Sequence, residues 1–221
     1  MNATPYIYRI NKYKYKTLIL LDWDDTLFPT SWVVKKNIDL TNPDVQNKYI
    51  VFFAKLDLLL HKLLSNLINY GKVVIVTNAI NKWVYISSSI IPNTHRLIKN
   101  KISVISARDI HQYDHPGDGY MWKKLIFKQL VTDYYSDYHK DYPTDYQNII
   151  SIGDADYEFK ALINLYIKPK TTKGKRHLKS IRFMSKPSYD TLIDQLEVLN
   201  NSINKIIDTN NHMDLVFNNL K

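Results

Sequence analysis

The chain contains no cysteine, so neither a disulfide framework nor a thiolate metal site can be built from it. That absence fits a reducing compartment. No apolar run is long enough to cross a bilayer. Residues 1–15 mix Asn, Arg, Lys and Tyr and lack the continuous apolar stretch of a signal peptide. No internal repeat, low-complexity linker or change of composition marks a second domain. The expectation is a single domain of cytoplasmic or nuclear location with no membrane partner.

What is present suits a packed globular core. The chain has 221 residues, 45% hydrophobic and 23% charged, enough for one well-buried α/β domain. Thirty Lys and Arg against twenty-one Asp and Glu leave a net charge of +9. Such a surplus gathers polyanions, so nucleic acid or an acidic phosphorylated surface is a candidate partner. The same surplus also follows from an A/T-rich genome, which inflates Lys, Asn, Ile and Tyr codons together.

Thr17 to Leu21 is a short apolar run closing on Asp22, the pattern of a parallel strand buried on both faces. Apolar residues at helical spacing predict a helix over Val45 to Asn69, with a left-handed stop at Gly71. Lys72 to Val76 predicts a second strand ending at Thr77-Asn78, and Asn81 to Ile91 a helix stopped by Pro92. A further short helix precedes Asn100, and Lys101 to Ser106 predicts the third strand. Asp109 to Gly119 is polar and reads as a loop. Tyr120 to Tyr135 predicts a helix, Asn148 to Ile152 a fourth strand ending at Gly153-Asp154, and Ala155 to about Leu165 a helix. Lys179 to Met184 is a candidate fifth strand, and Pro187 opens a closing helix running past Leu199. The Asn-rich tail after Thr209 is expected to fray. Strands alternating with helices imply a Rossmann-like three-layer sandwich around a central parallel sheet. Ligands of such sheets bind at the carboxyl ends of the strands, where Asp22, Thr77, Arg108 and Asp154 all fall.

Asp22-Trp23-Asp24-Asp25-Thr26 sets two carboxylates two residues apart, just past a strand. One can attack phosphorus while the other gives a proton to the leaving oxygen, and two such acids also bind a hard cation such as magnesium. A solvated acidic turn would carry the same string. Thr77 can donate to a phosphate oxygen or cap the next helix. Lys123 opens a helix beside Trp122, whose ring anchors that turn in the core. A buried ammonium at Lys123 would neutralise a phosphoryl group, with Lys124 as the solvated neighbour or the two exchanged. Asp154 adds an acid after the fourth strand, Glu158 follows one helical turn later, and Gly153 permits close approach of backbone and ligand. Asp156 reads as favourable charge at a helix N-terminus.

These four signals, in this order over Thr17 to Leu162, resemble the haloacid dehalogenase (HAD) superfamily in its capless phosphatase type. The resemblance implies that Asp22 is the nucleophile and Asp24 the general acid/base. It implies that Thr77, Asn78 and Lys123 hold the phosphoryl group. Mg2+ would be bound by Asp22, the main-chain carbonyl of Asp24, and Asp154, with Glu158 in support. The implied activity is Mg2+-dependent phosphomonoester hydrolysis through an aspartyl-phosphate. Alternatives are a nucleotidase or small-metabolite phosphatase, and a phospho-ligand-binding protein without turnover.

Family members acting on small metabolites usually carry a cap domain. Here Leu27 to Asp44 leaves room only for a flap, and Asp109 to Gly119 only for a loop. A minimal cap favours a phosphorylated macromolecule, either phosphoprotein or a nucleic-acid terminal phosphate. The motif Asp-Trp-Asp-Asp-Thr-Leu-Phe-Pro also resembles the first motif of magnesium-dependent protein phosphatases and RNA-polymerase-tail phosphatases. Arg108 could grip a second phosphate or pair with Asp109 or Asp118 as a loop staple. Trp32 and Trp83 either rim the cleft or pack in the core. The basic stretch from Lys168 to Lys179 is expected to be a solvated loop at the far end of the sheet, or else a nuclear-import signal or secondary anion contact.

Overall fold

A computed structural model of the chain describes residues 16–139, 146–166 and 175–218. Its centre is a six-stranded, all-parallel sheet in the order β3-β2-β1-β4-β5-β6. The strands are β1 (Thr17–Leu21), β2 (Lys72–Thr77), β3 (Ser103–Ser106), β4 (Tyr146–Gly153), β5 (Lys175–Arg182) and β6 (Met213–Val216). The helices are α1 (Thr30–Lys35), α2 (Pro43–Lys48), α3 (Ile50–Tyr70), α4 (Asn81–Ser88), α5 (Pro92–Lys101), α6 (Ala107–His111), α7 (Gly119–His139), α8 (Asp156–Ile163) and α9 (Tyr189–Asp208). The architecture is Rossmann-like in that helices cover both faces of the sheet.

Alternation along β1 assigns its side chains to two cores. Ile19 and Leu21 join the apolar faces of α3 and α9, including Leu56, Leu60, Leu64, Leu192 and Leu196. Leu18 and Leu20 join Ile126, Phe127 and Val131 of α7 and Leu162 of α8. Both faces of β1 are therefore apolar, as its five-residue run predicts. Because β1 lies between β2 and β4, the chain reverses its direction of sheet-building there. That places the topological switch point at the carboxyl ends of β1 and β4.

Several local expectations change. The helix predicted over Val45 to Asn69 is divided at Tyr49: Asn42 caps α2 by accepting from Asp44 N and Val45 N, and α3 starts afresh at Ile50. Gly71 is extended, with φ −177°, and is not left-handed. Glycine is needed there because a Cβ would lie 2.2 Å from the Thr17 carbonyl oxygen of the neighbouring strand. Pro92 occupies the first turn of α5, where its missing N–H costs nothing. Asp57 of α3 caps that turn, accepting from Thr94 N at 2.7 Å and Asn93 N at 3.1 Å.

Part of the segment expected to be a loop from Asp109 is helix α6, which Ser106 caps. The fifth strand begins at Lys175, so the end of the basic stretch is sheet; residues 168–174 lie outside the described residues. Lys175 pairs with Tyr146, the first residue of β4, so the start of β5 lies at the amino end of the sheet. The tail expected to fray contributes β6, an edge strand paired with β5 from Lys179↔Met213 to Arg182↔Val216. Among the described residues, no helix is long and apolar enough to cross a membrane.

Candidate active site at the carboxyl ends of the strands

Just past β1, the Asp22 N–H donates to the Ile152 carbonyl at 2.9 Å, extending the pairing with β4 by one residue. Trp23 then turns inward. It is fully buried, stacks on Phe28 at 5.8 Å, and its indole N–H donates to Ser87 Oγ at 2.9 Å. Its carbonyl accepts from both Leu27 N and Phe28 N at 2.9 Å, closing a tight loop with Asp25 at φ 55°. Anchoring Trp23 in the core leaves Asp22 and Asp24 on the opposite side, both lining one cleft.

That cleft has a volume of about 470 Å³. Asp22, Asp24, Asp25, Asp154 and Glu158 all line it, and Lys186 is the lining cation. Behind Asp22 lies Lys123, 1% exposed. Its Nζ donates to Asp22 Oδ1 at 2.5 Å and to the Val76 carbonyl, and pairs with Glu158 Oε1 at 2.8 Å. Trp122 fixes this turn, its N–H donating to the His115 carbonyl at 2.7 Å. Lys124 instead lies 5.7 Å from the Tyr120 ring centroid, so Lys123 is the lysine beside the acids. Asp22 Oδ2 accepts no hydrogen bond among the described residues.

Asp24 is held from three directions. Thr30 Oγ1 and Trp83 Nε1 donate to its Oδ1, the latter at 2.7 Å, and Thr77 Oγ1 donates to Oδ2 at 3.3 Å. Thr77 is itself fully buried and accepts from Ala79 N at 2.9 Å. Its hydroxyl thus engages both the helix-side amide and Asp24. Asn78 lines the cleft, with Nδ2 donating to the Gly119 carbonyl at 3.1 Å.

Glu158 is buried and also accepts from Ala155 N at 3.2 Å. Gly153 makes room for it: a Cβ there would lie 2.5 Å from Glu158 Cγ. The close approach expected at Gly153 is thus made by a side chain of this protein. Asp156 is exposed in the first turn of α8. Arg108 is exposed on α6, does not line the cleft, and pairs with neither Asp109 nor Asp118. Asp109 instead accepts from Asn81 N at 2.8 Å.

The structure therefore brings together Asp22, Asp24, Thr77, Asn78, Lys123, Asp154 and Glu158, and leaves Arg108 aside. Sequence reasoning missed Asp25, which accepts from Ser31 N at 2.8 Å and from Ser31 Oγ. It also missed Thr30, Ser185 and Lys186 as lining residues and the indole of Trp83 as a donor to Asp24. Only the aspartate run offered a signal for Asp25.

Negative charge is in surplus here. Burial pushes the Asp22 carboxyl well above the usual range; Lys123 pulls it down, while Glu158, Asp24 and Asp154 add to the rise. Burial, then Glu158 and Asp25, push Asp154 up to about 7. Burial alone would lower the Lys123 ammonium, but Asp22 and Glu158 together hold it above its ordinary value.

Among the described residues, no three His, Asp or Glu side chains form a metal cage. The Mg2+ ligand set that the resemblance implies asks for only two carboxylates and a main-chain carbonyl. The donors present fit a hard cation: they are oxygens, and their unrelieved repulsion is what a divalent ion would remove. The chain matches no protein-family model, no curated protein and no solved structure.

Proposed function

We propose that this protein is an HAD-like phosphatase of minimal cap, a Mg2+-dependent phosphomonoester hydrolase acting on a phosphorylated macromolecule. The observation that carries this reading is the setting of Asp22. It stands at the switch point of the sheet with Oδ1 held by buried Lys123 and its carboxylate lining an acid-walled cleft. Lys123 orients the carboxylate and leaves Oδ2 for attack.

In the first half-reaction an Asp22 oxygen bonds to phosphorus as the bond from phosphorus to the ester oxygen breaks. The Asp24 carboxylic acid supplies the proton that the departing alkoxide takes. In the second, water attacks the phosphorus of the aspartyl-phosphate, Asp24 as carboxylate takes a proton from it, and inorganic phosphate leaves with Asp22 restored. The three donors to Asp24 surround an acceptor, which is the form this second step uses, and they aim it into the cleft. Asn78 offers a donor, and buried Lys123 positive charge from behind Asp22, to the phosphoryl oxygens, where charge builds up in the transition state. Asp22, the Asp24 carbonyl and Asp154 would hold Mg2+, which when bound supplies further charge neutralisation to those oxygens.

The test is Asp22→Asn, assayed with p-nitrophenyl phosphate in Mg2+. It keeps the shape of the side chain and removes the nucleophile, so turnover should fall by roughly 10⁴-fold or more with an unchanged far-UV spectrum. Wild-type-like turnover in that variant would falsify the assignment.

A further inference from the structure

The acid-walled cleft does not end at the reacting residues. Thr30 and Lys186 line it and also line a second groove of about 740 Å³. The two grooves adjoin at these shared residues, and their character differs. Past Thr30 the acids give way to lysines and rings. Lys35, Lys36 and Lys186 line this limb against a single acid, Asp190, and all three lysines are exposed. Lys186 sits at φ 50°, in the loop between β5 and α9.

The rings here form a fixed bed. Trp32 lies 5.1 Å from Tyr189 and 5.5 Å from Phe52, and Phe52 lies 4.9 Å from Tyr189. The Tyr189 hydroxyl donates to the Phe52 carbonyl at 2.6 Å, tying α9 to α3 beneath the groove. Phe52 is 40% exposed, in the largely solvent-facing first turn of α3.

We infer that this lysine- and ring-lined limb is the track for a single-stranded nucleic acid whose terminal phosphate enters the cleft. The inference rests on the phosphatase reading and names its substrate class. Three chemical facts favour a strand over a phosphopeptide. A peptide bearing one phosphate has no use for a row of cations beyond the reacting centre, whereas a strand carries a phosphate at every step. The exposed ring of Phe52, backed by half-buried Trp32 and buried Tyr189, suits a stacked base, which every nucleotide presents. The acid surplus in the cleft repels a polyanion, so only its end can enter, and the rest must follow the limb of opposite charge. Lysines are point charges that track a backbone without reading bases, so binding along this limb is expected to be sequence-independent.

The experiment is fluorescence anisotropy with a labelled ten-nucleotide single strand, DNA and RNA in separate arms, carrying no terminal phosphate and hence unable to turn over. The wild-type protein should bind it, and with about three phosphates contacted the affinity should fall roughly tenfold or more between 50 and 200 mM salt. Lys35→Glu with Lys36→Glu should weaken binding at least tenfold. Lys99→Glu with Lys101→Glu, exposed at the far end of α5, should change it little, with thermal melts confirming that both variants fold. Equal loss in the two variants, no wild-type binding, or tighter binding of a phosphopeptide than of the strand overturns the proposal. A separate assay of p-nitrophenyl phosphate keeps the two readings apart. Strand binding without hydrolysis counts against the phosphatase alone, and hydrolysis without strand binding counts against the groove alone.

Discussion

Two lysines are fully buried among the described residues, and the contrast between them separates the two regions of the sheet. Lys123, at the carboxyl end, is enclosed by carboxylates: Asp22 at 2.5 Å and Glu158 at 2.8 Å. Lys179, in the middle of β5, meets only carbonyls, donating to Ile206 O at 2.7 Å and Ile207 O at 3.0 Å in the last turn of α9. A helix C-terminus is a favourable place for a cation, yet burial still lowers the Lys179 ammonium to about 8. Lys123 is held the other way by its acids. The first lysine belongs to an electrostatic arrangement with full charges on both sides. The second satisfies orphan carbonyls and joins a helix to the sheet.

The sharpest way to break this contrast is to remove each charge. Lys123→Met should destabilise the fold by about 3–5 kcal/mol, since it strands two buried carboxylates. Adding Glu158→Gln to it should restore part of the loss. Lys179→Met strands only carbonyls and should cost about 1–3 kcal/mol. Urea unfolding measures both, and equal losses would erase the distinction.

A second comparison is of protons. At the amino-end region, burial, then the charges of Lys175 and Lys179, lower His177 to about 4. The unfolded chain therefore binds more protons than the native state between about 4 and 6.5. The stability that depends on neutral His177 is complete above 6.5 and is lost as the pH falls toward 4. Asp154, with its carboxyl raised to about 7, has the opposite sign: its contribution is complete below its unfolded value and is lost as pH rises toward 7. Melting wild-type and His177→Gln proteins at pH 7 and pH 5 isolates the histidine, because the Asp154 contribution cancels in the difference. A variant with the same acid sensitivity as wild type would refute the assignment.

The smallest expected effect is on metal affinity. Asp154 must lose its proton before its oxygen can ligate. Mg2+ affinity should therefore fall as the pH drops below about 7, with Asp154 contributing up to about tenfold per pH unit. Calorimetric titration at several pH values checks this, and Asp154→Asn should reduce the slope. A pH-independent affinity in the wild-type protein would exclude Asp154 as a ligand.

Much of the architecture was legible because parallel strands buried on both faces must be uniformly apolar, as Thr17–Leu21 and Val73–Val76 are. The acids of the cleft were legible for a related reason: Asp22 and Asp154 interrupt apolar runs abruptly, where a strand reaches solvent. By contrast, β5 was partly hidden. Its Lys-Arg-His-Leu-Lys sequence reads as a solvated stretch until the last carbonyls of α9 supply partners for Lys179. Strand β6 has only four residues and alternates between half-buried and exposed, a signal too short to stand out from an Asn-rich tail. The clamp on Asp24 joins residues 6 and 59 positions away. No local pattern encodes such a contact.

The sequence by itself determined the alternation of strand and helix, the positions at which carboxylates break the apolar runs, and the charge surplus of the chain. These follow from which residues can be buried and which cannot. Only the tertiary structure decided that Lys123 and not Lys124 lies against Asp22, that Gly153 yields its space to Glu158, and that an aromatic and basic groove adjoins the acidic cleft. Those facts depend on which distant segments the folded sheet brings within a few ångströms, and the energy of a buried charge is set by its neighbours in space.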